Sequence, residues 1–112
     1  MTSTLKRTIK TAEKLKLNEI SKIELRILDE LNAGICEEMT YSDIKHKYPE
    51  ISKGRDVNKL TFRYPSGESY LDVIGRLEPL IYWIERQKSP IIIFGHQAIL
   101  RCISGYFFGI EI

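Results

Sequence analysis

The chain has 112 residues, of which 43% are hydrophobic and 29% charged, with a formal net charge of +2. That length holds at most one small domain, with the composition of an ordinary globular protein. The charge is too small to imply nucleic acid, and no apolar run approaches the roughly 20 residues that cross a bilayer, so neither a nucleic-acid nor a membrane partner is expected.

The start is polar and basic, unlike a signal peptide. Residues 3 to 16 read as a helix. Ser3 or Thr4 could cap it, Leu5, Ile9, Ala12 and Leu15 approximate one apolar face, and Lys6, Arg7, Lys10, Glu13 and Lys14 make the rest polar. Arg7 falls in the first turn, where a cation opposes the helix dipole. A phosphate held there would justify the placement; a solvated surface arginine is the plainer alternative.

Ile23, Leu25 and Ile27 alternate with Glu24 and Arg26, which is strand spacing. The following L-D-E-L-N-A-G puts Asp29 and Glu30 at a strand end before a glycine loop. A carboxylic acid there suits proton donation if its surroundings favour the protonated form, and is otherwise an exposed carboxylate. Thr40 and Asp43 are spaced as a capping box for a short helix through about Lys47, which Tyr48-Pro49 stops. Residues 50 to 64 read as an irregular basic loop with Lys53, Arg55, Lys59 and Arg63. Such spaced cations suit a phosphorylated ligand, or a plain solvated loop.

Ser69 and Asp72 repeat the capping spacing before a long helix to about Gln87. Val73, Ile74, Leu77, Leu80, Ile81 and Ile84 form its core stripe, and Pro79 should kink it or remove a hydrogen bond. The stretch that organises the chain follows: P-I-I-I-F-G-H-Q-A-I-L-R, residues 90 to 101. Ile91 to Phe94 read as a buried, parallel-type strand, Gly95 as its tight exit, and His96 as the residue at its carboxyl end. Ligands of open α/β sheets bind at that end, and free helix-start N–H groups favour anions. A histidine merely satisfied in a loop is the alternative. A last helix from about Gln97 to Phe108 would bury Ile99, Leu100, Ile103 and Phe107. Cys36 and Cys102 have no metal-like spacing and read as reduced thiols of a cytoplasmic protein.

In order, T-S-T-L-K-R-T-I-K-T-A-E, L-D-E-L-N-A-G-I-C-E-E-M-T-Y, R-Y-P-S-G-E-S-Y, R-L-E-P-L-I and G-H-Q-A-I-L-R-C resemble the fructose-2,6-bisphosphatase domain of the bifunctional 6-phosphofructo-2-kinase/fructose-2,6-bisphosphatases. That domain is a branch of the histidine phosphatase superfamily that includes phosphoglycerate mutase. The resemblance implies a three-layer α/β/α phosphoglycerate mutase-like fold, here truncated at both ends, so that residues 1–112 form a partial domain. It implies hydrolysis of fructose 2,6-bisphosphate to fructose 6-phosphate through a phosphohistidine, with no cofactor and no metal. Arg7 and His96 match the residues that hold the phosphoryl group, and Glu30 the acid that protonates the leaving sugar oxygen. Tyr41, Arg55, Lys59, Tyr70, Gln97 and Arg101 match positions that meet the sugar and its 6-phosphate. A kinase half in the parent protein, or a homodimer, is implied as partner.

The family's nucleophile comes from an R-H-G triplet. The sequence contains none, and its other histidine, His46, precedes Y-P, where the family has no catalytic role. The expectation is a fragment inactive alone. A non-catalytic phosphosugar-binding module and a histidine phosphatase for another phosphoester are the alternatives.

Overall fold

The apolar stripe of Val73, Leu77, Leu80 and Ile81 marks the helix on which the main core is built. The computed structural model describes residues 1–16 and 20–110. Its α-helices in chain order are α1 (Lys6–Glu13), α2 (Tyr41–Lys47), α3 (Pro49–Val57), α4 (Tyr70–Glu85) and α5 (Gln97–Phe108), with 3-10 turns at Arg26–Leu28 and Gly34–Cys36. Helix α4 opens on the predicted box: Asp72 N–H donates to the Ser69 hydroxyl and Ser69 N–H to the Asp72 carboxylate. Val73 and Leu77 are wholly buried, and Leu80 and Ile81 nearly so. They pack on Leu28 and on Ala98, Ile99, Cys102 and Ile103 of α5, with Ile74 and Ile84 at the margin. Pro79 has no N–H to give to the turn before it, yet α4 continues to Glu85.

Helix α5 matches its predicted span and closes on Gly109, whose φ of 64° suits a left-handed cap. Phe107 is not core: it is 40% exposed. One residue earlier, Tyr106 already donates to Glu85, the last residue of α4, so Phe107 lies where that helix no longer covers it.

A second, smaller core lies under α2 and α3, where Cys36, Ile44 and Tyr64 gather Met39, Tyr48, Ile51 and Phe62. The Thr40–Asp43 box starts α2 as predicted. The expected irregular loop over 50 to 64 is corrected: Pro49 fixes φ and needs no donor at a helix's first position, so it starts α3 instead of merely ending α2. Gly34, at φ +57°, packs so closely that a Cβ there would sit 1.9 Å from the Pro65 carbonyl oxygen, which fastens this core to the loop before α4.

The strand expectations hold only in miniature. Thr2 bridges Glu24 on one side and Phe94 on the other, both in parallel. Thr2 N–H donates to Ile23 O, Leu25 N–H to Thr2 O, and Phe94 N–H to Met1 O. The predicted strand over 23 to 27 becomes one bridge followed by a 3-10 turn, in which Leu28 turns away into the core. The Ile91–Phe94 run is likewise not covered on both faces, and Ile92 is 47% exposed. It has one short paired edge, and among the described residues no backbone group pairs with Ile93 from the other.

Helix α1 is shorter than the predicted 3 to 16, because the hydroxyls expected as caps are used elsewhere. Thr4 donates to Asp29, and Ser3 faces His96. Leu15 is exposed, and the end of the α1 segment runs up to residues outside the described ones.

Candidate phosphoryl and sugar-phosphate site

Ile91–Phe94 delivers His96 to the N-cap of α5 in extended backbone. Gly95 makes the approach close for a different reason from the one expected. Its φ is not left-handed; instead a Cβ would come within 3.2 Å of Leu100 Cδ2. The His96 ring is 7% exposed. Arg7, one residue into α1, donates from Nε and Nη2 to Nδ1 at 3.2 and 3.1 Å. Arginine can only donate, so Nδ1 accepts, and Nε2, 2.9 Å from Ser3 Oγ, carries the ring proton. Burial first, then the Arg7 charge, holds the imidazole below its usual range, while Glu30 and Asp29 pull the other way. Arg7, Thr8, Thr11, Gly95, His96 and Leu100 help line a hollow of about 380 Å³.

Glu30 is half-buried at the same helix start. Its Oε1 accepts from Leu31 N–H at 2.8 Å and its Oε2 from Ala98 N–H at 3.5 Å, in the first turn of α5. The loop around it is braced on both sides. Arg76 of α4 donates to the Ile27 carbonyl and, at 2.7 Å, to the Asp29 carbonyl. Its salt-bridge partner Glu68 accepts from Asn32 N–H at 2.9 Å. Thr4 ties the same loop to α1 through the Asp29 carboxylate.

Of the remaining predicted residues, Tyr41, Arg55, Tyr70 and Gln97 line a neighbouring hollow of about 340 Å³ together with Glu30 and Tyr64, whereas Lys59 and Arg101 are not among its lining residues. The Arg55 guanidinium stands 4.3 Å over the Tyr41 ring and Lys59 Nζ 5.1 Å over the Tyr70 ring. Burial, then the charges of Arg101 and Arg55, push the Lys59 ammonium down. Burial raises the Tyr70 phenol while the Arg101 charge partly offsets it. Among the described residues none of these three cations has a carboxylate partner; the salt bridges are Arg63–Asp72 and Arg76–Glu68. Arg63 of the basic stretch is therefore committed elsewhere, and His46 is exposed on α2.

Arg7 and His96 thus share one hollow, Glu30, Tyr41, Arg55, Tyr70 and Gln97 the next, and the start of α5 borders both. A further hollow of about 620 Å³ lies elsewhere, between residues such as Ile20, Trp83 and Pro90, and is lined by none of the predicted site residues. Sequence reading missed Ser3, Arg76 and Glu68, which reach His96, the Asp29 carbonyl and Asn32 far along the chain, and Thr8, whose hydroxyl bonds locally to Ser3 and Leu5. Only the capping-type spacing near Ser3 drew attention there, and for another role.

A buried histidine and an arginine beside a helix start, next to cations without carboxylate partners among the described residues, make a cluster of anion-seeking groups. The pattern of the histidine phosphatase superfamily (branch 1) matches residues 1–112, and the chain belongs to that family. Within it, the chain is 50% identical over 106 residues to 6-phosphofructo-2-kinase/fructose-2,6-bisphosphatase of Arabidopsis thaliana, covering 95% of this chain and 14% of that protein. It is 51% identical over 109 residues to fructose-2,6-bisphosphatase of Saccharomyces cerevisiae, covering 97% and 23%. The chain therefore spans less than a quarter of the length of these relatives. A mycobacterial glucosyl-3-phosphoglycerate phosphatase, solved with inorganic phosphate, superposes with a TM-score of 0.79 at 21% identity, over 98% of this chain and 58% of that one. The fold is part of the phosphoglycerate mutase-like fold expected, mostly helical, with its sheet represented among the described residues only by the two bridges of Thr2. No helix among the described residues is long and apolar enough to cross a membrane.

Proposed function

We propose that this chain carries the phosphoryl-holding, proton-donating and sugar-phosphate-gripping parts of a fructose-2,6-bisphosphatase site. The observation that carries the reading is the pair of anion-seeking clusters flanking one helix start. Arg7 with His96 lies on one side, and Arg55, Lys59 and Arg101 without carboxylate partners lie on the other. A ligand with two phosphates on one small sugar satisfies both.

In this reading the 2-phosphoryl group lies against Arg7 and His96, whose positioned donors stabilise the charge that spreads over its oxygens during transfer. Glu30 gives a proton to the departing sugar oxygen from the adjoining hollow. Arg55, Lys59 and Arg101 take the 6-phosphate through charge-assisted hydrogen bonds. Tyr41, Tyr70 and Gln97 border the sugar. The parent protein would work in the cytoplasm, with a kinase half or a second copy as partner.

No R-H-G occurs in these 112 residues, and His46 lines neither hollow. That favours binding without turnover for the chain by itself. The expected result is no phosphate release from fructose 2,6-bisphosphate, because the R-H-G triplet that supplies the family's attacking histidine does not occur in these residues. Hydrolysis that survives repurification and disappears in His96→Ala would contradict this.

A further inference from the structure

We propose that Ser3 and Thr8 are positioning residues that lock His96 in its Nε2–H tautomer, leaving Nδ1 as the atom that meets a phosphoryl oxygen, so that anion binding takes up one proton. The inference rests on the reading of Arg7 and His96 as phosphoryl holders, and it assigns a role to two buried hydroxyls which that reading leaves idle.

The hydrogen-bond chain has one consistent direction. Arg7 donates to Nδ1, so Nε2–H donates to Ser3 Oγ at 2.9 Å. Ser3 Oγ also accepts from Leu5 N–H at 3.2 Å, so its own hydrogen goes to Thr8 Oγ1 at 2.8 Å. Thr8 passes its hydrogen to the Leu5 carbonyl at 2.9 Å. Every donor finds an acceptor. In the reverse direction the Ser3 hydrogen would point at Nε2 and an Nδ1–H would face the Arg7 donors, two hydrogens against each other. Ser3 and Thr8 are 0% and 4% exposed, so water cannot readily substitute.

An anion entering this site competes with Nδ1 for the Arg7 donors. Once Arg7 turns to the anion, Nδ1 takes a proton from solvent and donates it to an anion oxygen, while Nε2 keeps its own proton on Ser3. The charged groups facing the ring are Arg7 from α1 and Asp29 and Glu30 from the loop after Arg26–Leu28. The first favours the neutral ring before binding, and a bound anion masks its charge. The ring is thus neutral when empty and cationic when filled.

The test is ¹⁵N NMR of the His96 ring in the 112-residue chain at pH 7.5, with sulfate as probe because it does not titrate there. The expected ring has an unprotonated Nδ1 and a protonated Nε2, and saturation with sulfate protonates both. Sulfate affinity should fall about tenfold per pH unit above neutrality, the slope of one linked proton. Thr8→Val removes the acceptor for the Ser3 hydrogen, frees it to turn to Nε2, and should give mixed tautomers; Thr8→Ser should restore the wild-type pattern. An Nδ1–H ring in the wild type, or an unchanged tautomer in folded Thr8→Val, would overturn the lock. Sulfate failing to bind a ring locked as described would overturn the anion-holding reading and with it the proton coupling, but not the lock.

Discussion

Leu77→Ala is expected to lower the unfolding free energy by about 2–5 kcal/mol, the cost of a large-to-small change in a packed core. Leu77 is 0% exposed at the middle of α4, with Val73, Leu80 and Ile81 on the same stripe and Leu28 and Ile99 across from it. The truncated atoms would leave a void among residues of three separate segments, which cannot all close in on it. Small domains have about 5–15 kcal/mol in total, so this one change removes a large share. The same core seats the start of α5, so the site should loosen with it. Urea denaturation of the two proteins measures the loss. A difference below about 1 kcal/mol would mean that α4 and α5 do not pack as described.

The second large effect is a dependence of stability on pH set by His96. Burial and Arg7 depress the folded ring below its ordinary value of 6.5. The unfolded chain therefore binds the extra proton first as pH falls, so the contribution is complete above about 6.5 and is lost as pH drops through the depressed folded value. Asp43, held down by its hydrogen bonds with Thr40, and Asp72, held down by Arg63, lose their contributions only in more acidic solution. The urea midpoint should fall between pH 7.5 and 5.5. His96→Gln, which keeps a donor and an acceptor but does not titrate, should flatten that fall. A midpoint equally pH-dependent in both proteins would show that the ring is not the group responsible.

What was legible in the sequence was mostly local. The Thr40–Asp43 and Ser69–Asp72 boxes mark helix starts because their hydrogen bonds close within four residues, and the α4 and α5 stripes repeat at helical spacing. The β segments were less legible, since the alternation of Ile23, Leu25 and Ile27 says nothing of which segment pairs with it, and Leu28 leaves the edge for the core. Pro49 was read only as a stop, although the same ring can open a helix. Within the site, His96 at the end of an apolar run and Arg7 in a first turn drew attention by position. That they touch could not be read, since they lie 89 residues apart. The Ser3–His96 bond spans 93 residues and the brace from Arg76 to the Asp29 carbonyl 47; neither leaves a pattern in any short window.

The central claim is that one small ligand with two phosphates bridges the clusters on either side of the α5 start. Calorimetric titration of the folded chain with fructose 2,6-bisphosphate at low salt tests it most directly, with fructose 6-phosphate, Arg7→Ala and Arg101→Ala as comparisons. The predicted result is saturable binding of the bisphosphate, about tenfold or more weaker when either the 2-phosphate or one arginine is removed, since each contributes charge-assisted hydrogen bonds. Folded protein that releases no heat at millimolar bisphosphate, or that binds it equally well in both variants, would contradict the account.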